Sequence, residues 1–217
     1  MPGLVLYSYF RSSAAYRVRI SLHLKGLDYE TRPVHLLRDG GENFSPEYLA
    51  LNPQGLIPAL VDDGQVHTQS LAIIEYLEER YPDPPLLPPS AAARARVRAL
   101  SQIVACDIHP LNNLRVRDYV KERLGHDESQ WLAWYRHWIR EGFQAFEALL
   151  ATDAGTGQFC QGGRPTLADA CLVPQVFNAR RFDVPLEAFP TLCRIAEDCG
   201  RIKAFRDAAP ENQPDAE

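Results

Sequence analysis

Short apolar runs alternate with amphipathic patches over the first third of the chain. Leu4-Val5-Leu6-Tyr7, Tyr29 to Val34, Ala59-Leu60-Val61 and Gln65-Val66-His67 each predict a strand. Asp62-Asp63-Gly64, between the last two, is a tight-hairpin signal. Between the first two strands the pattern fits two structures. Tyr16, Val18, Ile20, Leu22 and Leu24 alternate with Arg17, Arg19, Ser21 and His23, as in a strand. Yet Ala15, Val18 and Leu22 share one helical face, Ser12 or Ser13 can cap its start, and Gly26 can end it. Periodicity alone does not decide, and the strands on either side favour the helix. After Gln69-Ser70, the run Leu71-Ala72-Ile73-Ile74-Glu75-Tyr76-Leu77 repeats its apolar residues on one face and predicts another helix. Such an order points to an α/β unit with a mixed sheet.

The pattern changes at Pro82-Asp83-Pro84-Pro85-Leu86-Leu87-Pro88-Pro89, where five of eight residues are proline. Proline removes amide donors and favours a stiff, extended path, so residues 83–89 read as a linker between domains at 1–82 and 90–217. No strand is predicted beyond it. Ala91 to Leu124 is a long helical pattern that Pro110 should kink or break. Glu128 to Leu150 is a second, and its Trp131, Trp134 and Trp138 read as core filling. Thr166-Leu167-Ala168-Asp169 resembles a capping box, which makes Asp169 structural, and the helix it opens should bend at Pro174. A last helix begins near Pro190 and fades into the polar tail Pro210 to Asp215. There is no internal repeat.

Composition narrows the function classes. The 217 residues are 46% hydrophobic, 24% charged and 10% aromatic, which excludes collagen-like and low-complexity chains. Lys plus Arg number 23 against 28 Asp plus Glu, giving a net charge of -5. That field repels phosphate backbones and anionic lipid, so neither nucleic acid nor a membrane is an expected partner. No apolar run approaches the roughly 18 residues of a membrane span, and MPGLVLYSYF has no basic segment before its apolar stretch. Cys106, Cys160, Cys171, Cys193 and Cys199 are odd in number and include no Cys-x-x-Cys pair. They suit thiols in a reducing cytosol better than a disulfide framework or a zinc site, so a cytoplasmic protein without bound metal is expected.

Three features of the first domain carry candidate chemistry. Arg11-Ser12-Ser13-Ala14-Ala15-Tyr16-Arg17 lies between a strand and a helix, where hydroxyls and free amides stabilise an anion such as a thiolate. Taken alone, the two serines read as no more than helix caps. Ile57-Pro58 precedes a strand, and a cis bond there would present the preceding backbone to a ligand. Gln69-Ser70 opens a helix, where Ser70 is either a cap or a donor to a carboxylate.

Together these segments resemble a family. Tyr-Phe-Arg-Ser-Ser-x-x-Tyr-Arg-Val-Arg-Ile, then Asn52-Pro53-Gln54-Gly55-Leu56-Ile57-Pro58-Ala59-Leu60, then Gln69 to Glu79 are similar to zeta-class glutathione transferases. The likeness continues through Cys106-Asp107-Ile108-His109-Pro110-Leu111-Asn112-Asn113 and Ala209-Pro210-Glu211-Asn212-Gln213-Pro214. It is strongest to the bacterial members that isomerise maleylacetoacetate. The resemblance implies a thioredoxin-like N-terminal domain (a mixed four-stranded sheet with a cis proline), an all-helical C-terminal domain, and a homodimer. It makes glutathione the cofactor. Ser12 would donate to its sulfur, assisted by Ser13 and the amides of Ala14, Ala15, Tyr16 and Arg17. Ile57 would pair with the cysteinyl part, and Gln69 and Ser70 would hold the γ-glutamyl end. His109, Asn113 and Arg115 would contribute from the helical domain.

Many zeta members read Ser-Ser-Cys-Ser where this chain has Ser12-Ser13-Ala14-Ala15, so any thiolate here must come from bound glutathione. Some also carry Gln at the position of His109. The implied reaction is reversible thiolate addition to a cis enedione acid, with rotation about the resulting single bond and elimination to the trans isomer. Maleylacetoacetate, from tyrosine or phenylalanine breakdown, is the first expected substrate. Maleylpyruvate, a small α-halo acid, or a non-catalytic role are the alternatives. A dicarboxylic substrate needs cations, for which Arg11, Arg115 and Arg181 are the candidates and Arg11 the first of them. Arg17 and Arg19 are expected to be surface salt-bridge partners.

Overall fold

The computed structural model describes residues 3–217. Leu4, Leu6 and Ser8 alternate inward along β1 (Leu4–Ser8), the period-two burial of a strand with one covered face. The 12-residue helix α1 (Ser13–Leu24) follows, then β2 (Tyr29–Pro33), and after a short helix α2 (Pro46–Leu51) the hairpin β3 (Ala59–Asp62) and β4 (Gln65–Thr68). The sheet order is β2-β1-β3-β4. β1 and β2 are parallel, with Leu6 opposite Thr31, and β1–β3 and β3–β4 are antiparallel. The sheet is therefore mixed, as expected. Asp63 and Gly64, with φ of 47° and 79°, form the two-residue connection of β3 and β4. Positive φ at both centres is what such a turn demands. Helix α3 (Ser70–Arg80) buries Ile73, Ile74 and Leu77 and packs against α1.

The dual pattern over residues 15–24 resolves into helix α1, and burial explains the ambiguity. Every residue from Ser13 to Leu22 is buried, so α1 has no solvent face along that stretch to impose a helical rhythm on the sequence. Arg17 and Arg19 are therefore not the surface residues expected. They are 1% and 0% exposed, and Arg19 is spent on carbonyl and hydroxyl oxygens rather than on a surface carboxylate.

Contacts divide the chain into two units, Met1–Leu86 with Gly200–Glu217, and Leu87–Cys199. Two differences from the expected boundaries have local causes. The proline-rich run begins tied to the first unit. Lys25, buried, pairs with Glu78 at 2.7 Å and donates to the carbonyls of Tyr81 and Pro84, while Glu78 also accepts from Leu86 N. At the other end, Tyr16 and Arg19 of α1 donate to Phe205 O and Ala208 O, which draws the tail into the first unit.

The second unit is helical. Helix α4 (Ala91–Gln102) passes into π-helical turns over Ile103–Ile108 and a 3-10 turn over His109–Asn112 that contains Pro110, the break anticipated there. Gly142 allows the π segment to pass close by, since a Cβ at 142 would collide with the Ile108 side chain. Short helix α5 (Leu114–Asp118) precedes the 25-residue α6 (Glu128–Thr152). Its buried stripe is Trp131, Tyr135, Ile139, Phe143, Phe146 and Leu150. Trp134 and Trp138 fall beside that stripe and stay half-buried, so only Trp131 fills the core as expected. Helix α7 (Leu167–Arg181) opens with the capping box between Thr166 and Asp169. Asp169 is fully buried and accepts from Cys160 N and Thr166 N, a structural role. Helix α8 (Pro190–Gly200) closes the second unit, and α9 (Lys203–Asp207) lies in the tail that belongs to the first. Among the described residues, no helix is long and apolar enough to cross a membrane.

Candidate active site

Ser12 is the N-cap of α1. Its backbone is extended, its Oγ accepts from Ala15 N at 3.2 Å, and its carbonyl accepts from Tyr16 N at 2.8 Å. With an oxygen lone pair engaged by Ala15, the hydroxyl keeps its proton to give to an outside acceptor. The first turn of α1 carries no acidic residue, so the positive end of the helix is not neutralised by a carboxylate of its own. This helix end is thus a hydroxyl-plus-amide seat for an anion.

The loop before β3 supplies the second feature. Ile57-Pro58 is cis. Three buried side chains fix the backbone leading into it. Asn43 Nδ2 donates to Gly55 O at 2.7 Å, and both Tyr48 Oη and Asn52 Nδ2 donate to Leu56 O, at 2.7 and 2.6 Å. Burial pushes the Tyr48 phenol up to about 12, so it is a neutral donor at ordinary pH. Ile57 packs in one buried apolar cluster with Tyr9, Phe10, Val34 and Tyr48, which places the loop before α1 and the loop before β3 on a common base.

The third feature is the start of α3. Gln69, not Ser70, is the N-cap residue, with φ 66° and ψ 111° and no side-chain capping bond. A non-glycine residue held there is strained, which occurs where surrounding contacts over-determine the backbone. Gln69 Nε2 donates to Gln54 Oε1 at 2.8 Å. Ser70, the buried first residue of the helix, accepts at Oγ from Arg17 Nη1 at 3.3 Å. A hydroxyl and a guanidinium at a helix N-terminus suit a carboxylate.

The candidates of the second unit gather around one end of α6. His109 begins the 3-10 turn, and Asn113 caps α5 by accepting from Arg115 N at 3.1 Å. Trp134 Nε1 donates to Leu111 O, and Asn112 Nδ2 donates to Tyr135 O. The Tyr135 ring lies 4.1 Å from that of Phe182, and Arg136 donates to Phe182 O. Residues 109–113 and the end of α7 at Arg181 therefore lean on the same three positions of α6. Arg181 is exposed over the Phe182 ring, Arg115 is exposed, and Arg11 is half-buried over the Phe10 ring at 4.6 Å. None of the three has a carboxylate partner among the described residues.

The first unit thus brings Ser12, Ser13, Arg17, Ile57, Gln69 and Ser70 onto neighbouring loop and helix ends. Sequence reasoning overlooked the supports Asn43, Tyr48 and Asn52, and Gln54 against Gln69. Only Asn52 and Gln54 stood inside a noted motif. It also placed Arg19 at the surface, whereas its partners lie in β1, in the following loop and in the tail.

The glutathione S-transferase N-terminal domain family matches residues 11–80. The maleylacetoacetate isomerase of Pseudomonas aeruginosa is 53% identical over 97% of this chain and 97% of its own. A holo structure of maleyl pyruvate isomerase, a bacterial zeta-class glutathione S-transferase, superposes with a TM-score of 0.95. It is 50% identical and covers 98% of this chain and 100% of that one. The maleylacetoacetate isomerase of Methylobacterium extorquens, solved with bound malonate and glutathione, superposes at 0.94 with 44% identity, covering 98% of this chain and 99% of that one. Identity of this extent over almost the whole length leaves one assignment: the chain belongs to the zeta class of glutathione transferases, the family of the maleylacetoacetate and maleylpyruvate isomerases.

Proposed function

We propose that this chain is a glutathione-dependent cis–trans isomerase converting maleylacetoacetate to fumarylacetoacetate. One observation carries the reading: a single helix serves both ends of a tripeptide site, since Ser12 caps α1 while Arg17 of the same helix donates to Ser70. The donors fit glutathione group by group. Ser12 and the first amides of α1 suit its sulfur, the backbone of Ile57 before cis Pro58 suits its cysteinyl amide, and Gln69 and Ser70 suit its γ-glutamyl end. When bound, glutathione supplies a thiolate that adds reversibly to the conjugated double bond and is regenerated on elimination.

The chain's own residues set the conditions. A free thiol ionises near pH 8.5, so about a few per cent is thiolate at neutral pH. Ser12 raises that fraction by donating its proton to sulfur, and the positive end of α1 adds to the effect. Ser13 assists from the first turn. Arg11, lacking a carboxylate partner among the described residues, attracts a carboxylate of the substrate toward the Ser12 end of α1. The loop after Ser13 supplies no thiol of its own, because Ala14 and Ala15 stand where many relatives have Cys and Ser.

Replacing Ser12 with Ala should lower kcat by about 10²–10³-fold, the usual cost of removing one donor to a reacting anion, with little change in glutathione affinity. Normal turnover by that variant would overturn the assignment. A second reading, isomerisation of maleylpyruvate, is favoured by the likeness to an enzyme of that name. Parallel assays on both substrates separate the two, and a net loss of free glutathione during turnover would instead indicate conjugation. We further propose a homodimer acting in the cytoplasm. Five free cysteines suit a reducing compartment, and light scattering on the purified protein tests the assembly.

A further inference from the structure

We propose that the C-terminal tail belongs to the thiol-activating apparatus, with Arg19 and Asp215 acting as positioning residues that clamp the Tyr9–Phe10 backbone and thereby set Ser12. The proposal rests on the reading above, that Ser12 serves a bound glutathione thiolate. Asp215 Oδ2 accepts from Phe10 N at 3.0 Å. From the other side, Arg19 Nη2 donates to Phe10 O at 3.0 Å, and Nη1 donates to Tyr9 O at 3.4 Å and to Ser8 Oγ at 3.1 Å. The remaining nitrogen, Nε, donates to Ala208 O of the tail at 3.0 Å. Tyr9 O also accepts from Ser12 N at 2.9 Å, so the clamp reaches Ser12 through one shared oxygen.

Three features make this more than packing. Arg19 is completely buried, and its direct partners are one hydroxyl and three carbonyls, with no carboxylate among them. A guanidinium so placed is costly to bury, whereas an apolar side chain would fill the space without that cost. Its charge meets the negative ends of the two peptide dipoles just upstream of Ser12, which would otherwise oppose a sulfur anion held there. The tail is itself braced, because Gln213 Nε2 donates to Asp207 O and Ala209 O at 2.8 and 2.9 Å. Asp215 is therefore delivered to Phe10 from a fixed scaffold.

The test compares the unaltered protein with Asp215→Ala, Asp215→Asn and Arg19→Lys. Each is examined for the ultraviolet thiolate band of bound glutathione against pH, for kcat, for glutathione Kd by calorimetry and for melting temperature. In Asp215→Ala the thiol of bound glutathione should titrate about one unit higher, which lowers the thiolate population and kcat at neutral pH about tenfold. Kd should move less than about threefold, a smaller change than losing one direct contact causes. Asp215→Asn keeps an oxygen for Phe10 N and should recover most of the activity. An unchanged thiol titration and kcat in Asp215→Ala would overturn the positioning role even if Arg19→Lys fails to fold. An unaltered protein that takes up no glutathione would overturn the isomerase reading, and this proposal with it.

Discussion

Arg17 of the first helix donates from Nη1 to Ser70 Oγ at the start of the third, across 3.3 Å between two buried side chains. The serine's oxygen is oriented by the guanidinium, and a carboxylate placed at this helix end meets a hydroxyl and a cation together. Ser70→Ala should weaken glutathione binding by about 1.5–3 kcal/mol, the usual worth of a hydrogen bond to a charged group. That corresponds to about 10- to 150-fold in Kd by calorimetry. Because the lost contact serves binding alone, kcat at saturating glutathione should stay near that of the unaltered protein. A fall in kcat without a change in Kd would place Ser70 elsewhere in the mechanism.

The carbonyl of Leu56 takes hydrogen bonds from both Tyr48 and Asn52. Tyr48→Phe should cost about 1 kcal/mol of stability in urea unfolding, the net value of one neutral hydrogen bond. Asn52→Ala should cost more, because its Oδ1 also accepts from Gln54 N at 3.2 Å. The double variant should be non-additive, since the two donors share one acceptor. In each case KM for glutathione should rise with the loosening of Ile57.

His23 packs against Tyr29 with 3.3 Å between Nε2 and the phenol oxygen, and burial holds its pKa below the ordinary 6.5. The unfolded chain therefore binds more protons than the folded one just below 6.5. The contribution of His23 to stability is fully present above 6.5 and is lost as pH falls toward the folded value. Melting temperatures measured between about pH 8 and pH 5 should drop less for His23→Gln than for the unaltered protein, since the variant lacks this proton linkage. Parallel curves would show that His23 is not the group responsible.

Thiol reactivity should divide by burial. Burial pushes Cys160 and Cys199 well up, and Cys193 up as well, which keeps them as unreactive thiols. Cys106 is exposed. Brief alkylation of the folded protein with iodoacetamide, followed by peptide mass spectrometry, should label Cys106 first and leave Cys160, Cys171 and Cys199 unmodified. Equal labelling of Cys160 would contradict the packing around Asp169.

Local signals made much of the first unit legible. Period-two burial marks β1, Asp63-Gly64 supplies the positive φ of the hairpin, and Ser12 and Thr166 cap helices within three or four residues of themselves. The three chemical features were visible for the same reason, as each is a short stretch at the end of an element. What the sequence could not disclose was which polar residues lie inside. Arg17 and Arg19 look like solvent-facing residues because they interrupt an apolar alternation, and that inference assumes α1 has a wet side.

The sequence by itself thus determined most strands, the longer helices, several helix ends and the residue types able to hold an anion, because those depend on interactions between near neighbours. Tertiary structure decided that α1 is enclosed along most of its length, that Ser70 answers to Arg17, and that a tail almost two hundred residues downstream grips Phe10 and Arg19. Those contacts depend on where distant backbone carbonyls come to rest. No periodicity encodes that position, because it is fixed only when the core closes and every buried donor must find an oxygen.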